Sequence, residues 1–99
     1  MFGLSQQHWN IIKQTLIEPL QAQGAKVYVF GSRATQTHHP FSDLDVAYET
    51  STPMSESWMY KIKNDLEESS LPIKVDRVEI KDLPKSFLDR VLKTKVLIE

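Results

Sequence analysis

At 99 residues the chain is the size of one domain, long enough to bury about 60 to 70% of the surface its unfolded form exposes. Twelve Lys and Arg against thirteen Asp and Glu leave a formal charge of −1, which argues against direct nucleic-acid binding through a broad basic face. With no cysteine there is neither a disulfide framework nor a thiolate metal site.

Residues 1–20 lack the basic start and continuous apolar run of a signal peptide, and nothing approaches membrane-spanning length, so a cytoplasmic protein is the expectation. Leu4-Ser5 opens an amphipathic helix with Ser5 as N-cap and Trp9, Ile12, Leu16 and Leu20 at helical spacing. Trp9 on that stripe reads as core rather than as a base-stacking platform. Pro19 should kink or divide the helix, and Gly24 suits a left-handed cap.

Residues 25–30 are β-branched and aromatic and read as a buried strand that stops at Gly31-Ser32. Residues 33–37 can begin a short helix, and residues 38–42 return the chain to a second strand at 43–48. His38 and His39 are adjacent in that loop and cannot easily share one ion, so they read as solvated. Thr52-Pro53 suits the start of a helix over about 54–69, with Trp58, Ile62 and Leu66 as its stripe and Met59 beside it. A third strand covers 73–80. Asp82-Leu83-Pro84 then starts a helix with Phe87, Leu88, Val91 and Leu92 as core, and residues 96–98 form a short terminal strand. Lys61, Lys63, Lys93 and Lys95 read as solvated helix faces. The order predicts an α/β (α+β) fold: a small mixed sheet with helices packed mainly on one face, in one domain over residues 1–99.

The chemistry concentrates between Gly31 and Asp45. In a strand alternate side chains share a face, so Asp43 and Asp45 project together with Cα atoms about 6.5 to 7 Å apart. Two such carboxylates repel each other and call for a positive partner. A hard cation is the economical one, because Mg²⁺ is usually held by one or two carboxylates plus phosphate oxygens. Gly31, without a Cβ, lets a phosphate approach the backbone, Ser32 adds a hydroxyl, and the amides opening the next helix favour an anion. A phosphate cradle facing a carboxylate pair is what nucleotidyl transfer from a Mg-nucleoside triphosphate needs.

Gly31-Ser32, ten residues, then Asp43-x-Asp45 resembles the signature of the polymerase-β-like nucleotidyltransferase superfamily, and the length resembles its minimal nucleotidyltransferase (MNT) domain. The resemblance implies a third carboxylate on a later strand, assigned to Asp76; the alternatives are Glu79, of opposite parity, and a simple surface aspartate. It implies that Asp43, Asp45 and Asp76 hold Mg²⁺, two ions in all, while Gly31, Ser32 and Arg33 bind the triphosphate of ATP. Arg33 is otherwise a surface salt bridge. Many members have Arg-Gly and an acidic residue where this chain has Thr35, Gln36 and Phe41. Larger members add an acceptor-binding domain, for which 99 residues leave no room.

The shortest stand-alone members resemble antitoxins paired with a HEPN-domain ribonuclease toxin. By that resemblance the chain attaches AMP to a tyrosine of a HEPN toxin encoded by the neighbouring gene and forms a hetero-oligomer with it. Two alternatives stay open: a catalytically silent antitoxin that neutralises by contact, and the catalytic subunit of a small-molecule adenylyltransferase. Phe41 is either part of the partner contact or a loop-to-core anchor.

Overall fold

The computed structural model describes residues 1–99. Ser5 caps the first helix, its Oγ accepting from the His8 N–H at 3.1 Å. Helix α1 (Gln6–Ile12) passes into a π segment (Lys13–Ile17) and then α2 (Glu18–Ala22) without a break. Pro19 explains the change of register: it offers no N–H to the carbonyl four residues back, and its ring crowds that carbonyl. The Glu18 N–H reaches Lys13 O instead. One wide turn thus absorbs the proline and keeps Ile12, Leu16, Ile17 and Leu20 on a single buried stripe. Gly24, at φ +85°, turns the chain into the sheet.

Strands β1 (Lys26–Phe30), β2 (Leu44–Glu49), β3 (Val75–Glu79) and β4 (Val96–Ile98) form one sheet in the order β3-β2-β1-β4. β1 pairs antiparallel with β2 and β4, whereas β2 and β3 run parallel. A parallel pair needs a crossover, supplied here by α4 (Glu56–Glu67). Between β1 and β2 lies the single-turn helix α3 (Ser32–Thr35), and α5 (Lys85–Thr94) joins β3 to β4.

Three boundaries move from their sequence expectations. β2 begins at Leu44, so Asp43 stands just outside the strand. α4 starts at Glu56 because Ser55 is its cap, accepting from the Trp58 N–H at 3.2 Å; Thr50 Oγ1 instead closes the preceding turn by donating to Thr52 O at 3.0 Å. β3 is shorter than 73–80, since Ile80 opens a 3₁₀ turn (Ile80–Asp82).

Strand alternation divides the core in two. Val27, Val29, Leu44, Val46 and Tyr48 face α1, the π segment, α2 and α4, whose Trp9, Ile12, Leu16, Ile62 and Leu66 cover them. Tyr28, Phe30 and Ala47 face the other way, where Ile80 and Val91 form a smaller cluster with Phe87 and Leu88 of α5. The helices therefore pack mainly on one face, and α5 alone covers part of the second. The uncovered end of that second face holds the aspartates.

Candidate active site

The C-terminal end of β1 meets the N-terminal ends of β2 and β3, and the strand registers bring the predicted carboxylates together there. Asp45 lies opposite Phe30 on one side and Asp76 on the other. Directly paired residues on adjacent strands share a face, so Asp45 and Asp76 project side by side. Asp43, two residues before Asp45 and exposed, completes the row. Glu79 has the opposite parity and sits near Tyr48 at the far end of β3, so it is not part of this group.

Positive charge is short here. Lys74 Nζ lies 3.4 Å from Asp76 Oδ1, and the chain's other ion pair within 4 Å, Lys61 with Asp65, is confined to α4. Neither Asp43 nor Asp45 has a salt-bridge partner. Burial raises the Asp45 carboxyl above the usual carboxylate range; Asp76 and Asp43 push it further, and Arg90 of α5 opposes them. The three aspartates do not close into a three-ligand cage by themselves. Part-desolvated Asp45 and exposed Asp43, both without a paired cation, fit Mg²⁺, which takes one or two carboxylates and completes its shell with water and phosphate oxygens.

Gly31 lies against this row. Its backbone is at φ +76°, ψ −153°, a region essentially reserved for glycine, and an ideal Cβ on it would lie 2.5 Å from Asp45 Oδ2. Its N–H donates to Thr94 Oγ1 at 3.0 Å, and Thr94 in turn donates to Arg90 O at 3.0 Å. The turn is thereby latched to the last turn of α5. Ser32 lines a cavity of about 280 Å³ between the turn and α5, together with Thr35, Thr37, Arg90 and Lys93.

Arg33 departs from both of its sequence readings. Its side chain is 1% exposed and points inward, donating to Ser42 O at 3.0 Å, Phe2 O at 2.9 Å and Pro40 O at 3.1 Å. A guanidinium has enough planar donors to gather three carbonyls, and in doing so it pins the 38–42 loop and the N-terminus. It neither reaches a phosphate nor forms a surface salt bridge.

His38, expected to be solvated, is half-buried, with its ring packed where a Gly3 side chain would be; His39 is exposed as expected. Phe41, two residues before Asp43 in the chain, is 78% exposed, so it does not anchor the loop to the core. Sequence reasoning passed over Arg90 and Thr94; Lys93 is exposed as expected but also lines this cavity. The signal was the 90, 93, 94 spacing, which puts all three on one side of α5.

A strand, Gly-Ser turn and strand carrying an aspartate row on a mixed four-stranded sheet define the minimal nucleotidyltransferase class of fold. The chain belongs to the family described as "Polymerase beta, Nucleotidyltransferase", whose profile matches residues 11–99. No curated protein matches the sequence. Among solved structures it is similar to a toxin–antitoxin complex with AMP-PNP: 22% identity, 86% of this chain and 70% of that one covered, TM-score 0.67. A mutant of the toxin–antitoxin MntA-HpeT gives 21% identity, 88% and 71% coverage and a TM-score of 0.67. A candidate nucleotidyltransferase from Sulfolobus solfataricus gives 23% identity, 92% and 78% coverage and 0.51. At these identities the likeness establishes the fold. No helix is long and apolar enough to cross a membrane.

Proposed function

We propose that this protein transfers AMP from ATP to a tyrosine hydroxyl of a HEPN-domain ribonuclease toxin, and so acts as that toxin's antitoxin. The observation that carries the transfer reading is the Asp45–Asp76 register pair, extended by Asp43 and backed by Gly31, with no salt-bridge cation on Asp43 or Asp45. The toxin reading is supported by likeness to toxin–antitoxin complexes, one of them with AMP-PNP, and by exposed Phe41, two residues before Asp43 in the chain.

In this reading Asp43, Asp45 and Asp76 would hold Mg²⁺, two ions in all, which when bound would neutralise the phosphates and lower the pKa of the attacking hydroxyl. The tyrosine Oη bonds to the α-phosphorus, the α–β anhydride bond breaks in line with it, and pyrophosphate and the hydroxyl proton leave. Asp45, against Gly31 and paired in register with Asp76, would set where the α-phosphate lies. Asp76, with 40% of its side chain exposed, stands on the solvent side where an acceptor enters. The open carboxylate face lets a folded partner bring its own acceptor, and positioning supplies much of the rate in a two-substrate reaction.

The test is incubation with α-phosphate-labelled ATP and the toxin, followed by mass spectrometry of the toxin. Added AMP that disappears in Asp43→Asn/Asp45→Asn is the expected result. A toxin bound and inhibited without modification would replace this reading with neutralisation by contact.

A further inference from the structure

The phosphate loop carries Thr35 and Gln36, whose hydroxyl and amide bring no charge, and its one cation, Arg33, is buried and committed to three carbonyls. A triphosphate seated between the Gly31 turn and the aspartates would thus meet no cation from the loop itself. The structure places two from another element. Arg90 and Lys93 of α5 line the same 280 Å³ cavity as Gly31 and Ser32, and neither has a carboxylate within 4 Å.

Their placement is built into the fold at two points. Thr94 ties α5 to the turn through the Gly31 N–H, and its own hydroxyl bonds back to Arg90 O. Phe87 meets Phe30, the residue before Gly31, edge-on at 6.0 Å, and the Arg90 guanidinium lies over the Phe87 ring at 5.5 Å. That cation–π contact holds a long side chain beside the turn at little cost, since its donors stay free. Thr35 and Thr37, their hydroxyls 2.9 Å apart, also line the cavity and bring no charge to it.

We propose that Arg90 and Lys93 bind the β- and γ-phosphates of the nucleotide and hold the departing pyrophosphate, taking the part that a loop cation would otherwise play. The proposal rests on the nucleotidyl-transfer reading above. Both are positioning residues for the phosphate tail and leave the carboxylate chemistry to the aspartates.

The test compares wild type, Arg90→Gln/Lys93→Gln and the charge-keeping Arg90→Lys/Lys93→Arg by titration calorimetry with Mg-ATP, Mg-pyrophosphate and AMP. Both side chains are exposed, so the ligand-free Tm should match wild type. Charge-assisted contacts of this kind are worth about ten-fold in affinity each. The glutamine pair should therefore lose ten-fold or more for Mg-ATP and for Mg-pyrophosphate, keep its AMP affinity, and show a shallower dependence on salt. The charge-keeping pair should recover most of the loss. Equal Mg-ATP affinity in wild type and the glutamine pair would overturn the proposal and leave the transfer reading standing. A parallel loss for AMP would also overturn it, by showing a merely structural effect. Absence of Mg-ATP and Mg-pyrophosphate binding in wild type would overturn both.

Discussion

Gly31 and Asp45 approach so closely that a methyl group on Gly31 would sit 2.5 Å from Asp45 Oδ2. The glycine therefore serves two needs at once, a backbone conformation at φ +76° and ψ −153° and a clear space beside a carboxylate. Gly31→Ala should cost about 1 to 3 kcal/mol of stability through the backbone alone. The Asp45 carboxylate can swing aside, so the protein should still fold but bind Mg-ATP poorly. Urea unfolding with calorimetric titration checks both halves; an alanine variant with wild-type nucleotide affinity would contradict the shared role.

Arg33 predicts a different signature. Its three bonds to carbonyl oxygens are lost in Arg33→Ala, and lysine, with one compact ammonium, cannot replace the planar fork. Both substitutions should destabilise the protein by about 2 to 4 kcal/mol, given the worth of hydrogen bonds to charged groups in buried sites. A phosphate-binding arginine would behave otherwise: lysine would preserve stability and part of the affinity. Chemical denaturation of the two variants separates these cases.

Asp43 and Asp45 make no hydrogen bond or ion pair that asparagine would lose, and asparagine relieves the repulsion within the row. Metal-free Asp43→Asn/Asp45→Asn should melt at or above the wild-type temperature. Mg-ATP at about a hundred times its Kd should stabilise wild type by about 2.7 kcal/mol, and the variant not at all. A large loss of metal-free stability in the variant would move these residues from the active site to the structural network.

Glu79 sets a pH dependence away from the site. Its Oε1 is buried without a hydrogen-bond partner, and burial raises the carboxyl above its ordinary value, with Asp82 and Glu49 adding to the rise while Lys81 and the Thr50 amide oppose it. The folded state therefore binds this proton more tightly than the unfolded chain does. Stability should fall as pH climbs from the ordinary glutamate range, about 4.3, through the raised folded value, and stay lower above it. Glu79→Gln should remove that dependence, so its Tm should exceed wild type at pH 7 and the gap should close below pH 4. Calorimetry across that range is the check, and a constant gap would rule out titration of Glu79 as its source.

Local sequence was enough for the strands and for Ser5 and Gly24 at the ends of the first helical segment, because alternation and capping depend on residues a few positions apart, whereas Asp43, expected on the second strand, stands just outside it. The third carboxylate, Asp76, came from the resemblance, with Glu79 of opposite parity as its alternative, and the strand register pairs Asp76 with Asp45. The resemblance carried by Gly31, Ser32, Asp43 and Asp45 then led to the family that residues 11–99 match. Three features depended on contacts between distant parts of the chain and stayed illegible. Arg33 turned inward because carbonyls of Phe2, Pro40 and Ser42 converge on it. The Gly31 N–H was taken by Thr94, a residue 63 positions away, and that same latch carries Arg90 and Lys93 to the turn. A side chain's local period says which face it occupies, but only the packed sheet and α5 decide what that face meets.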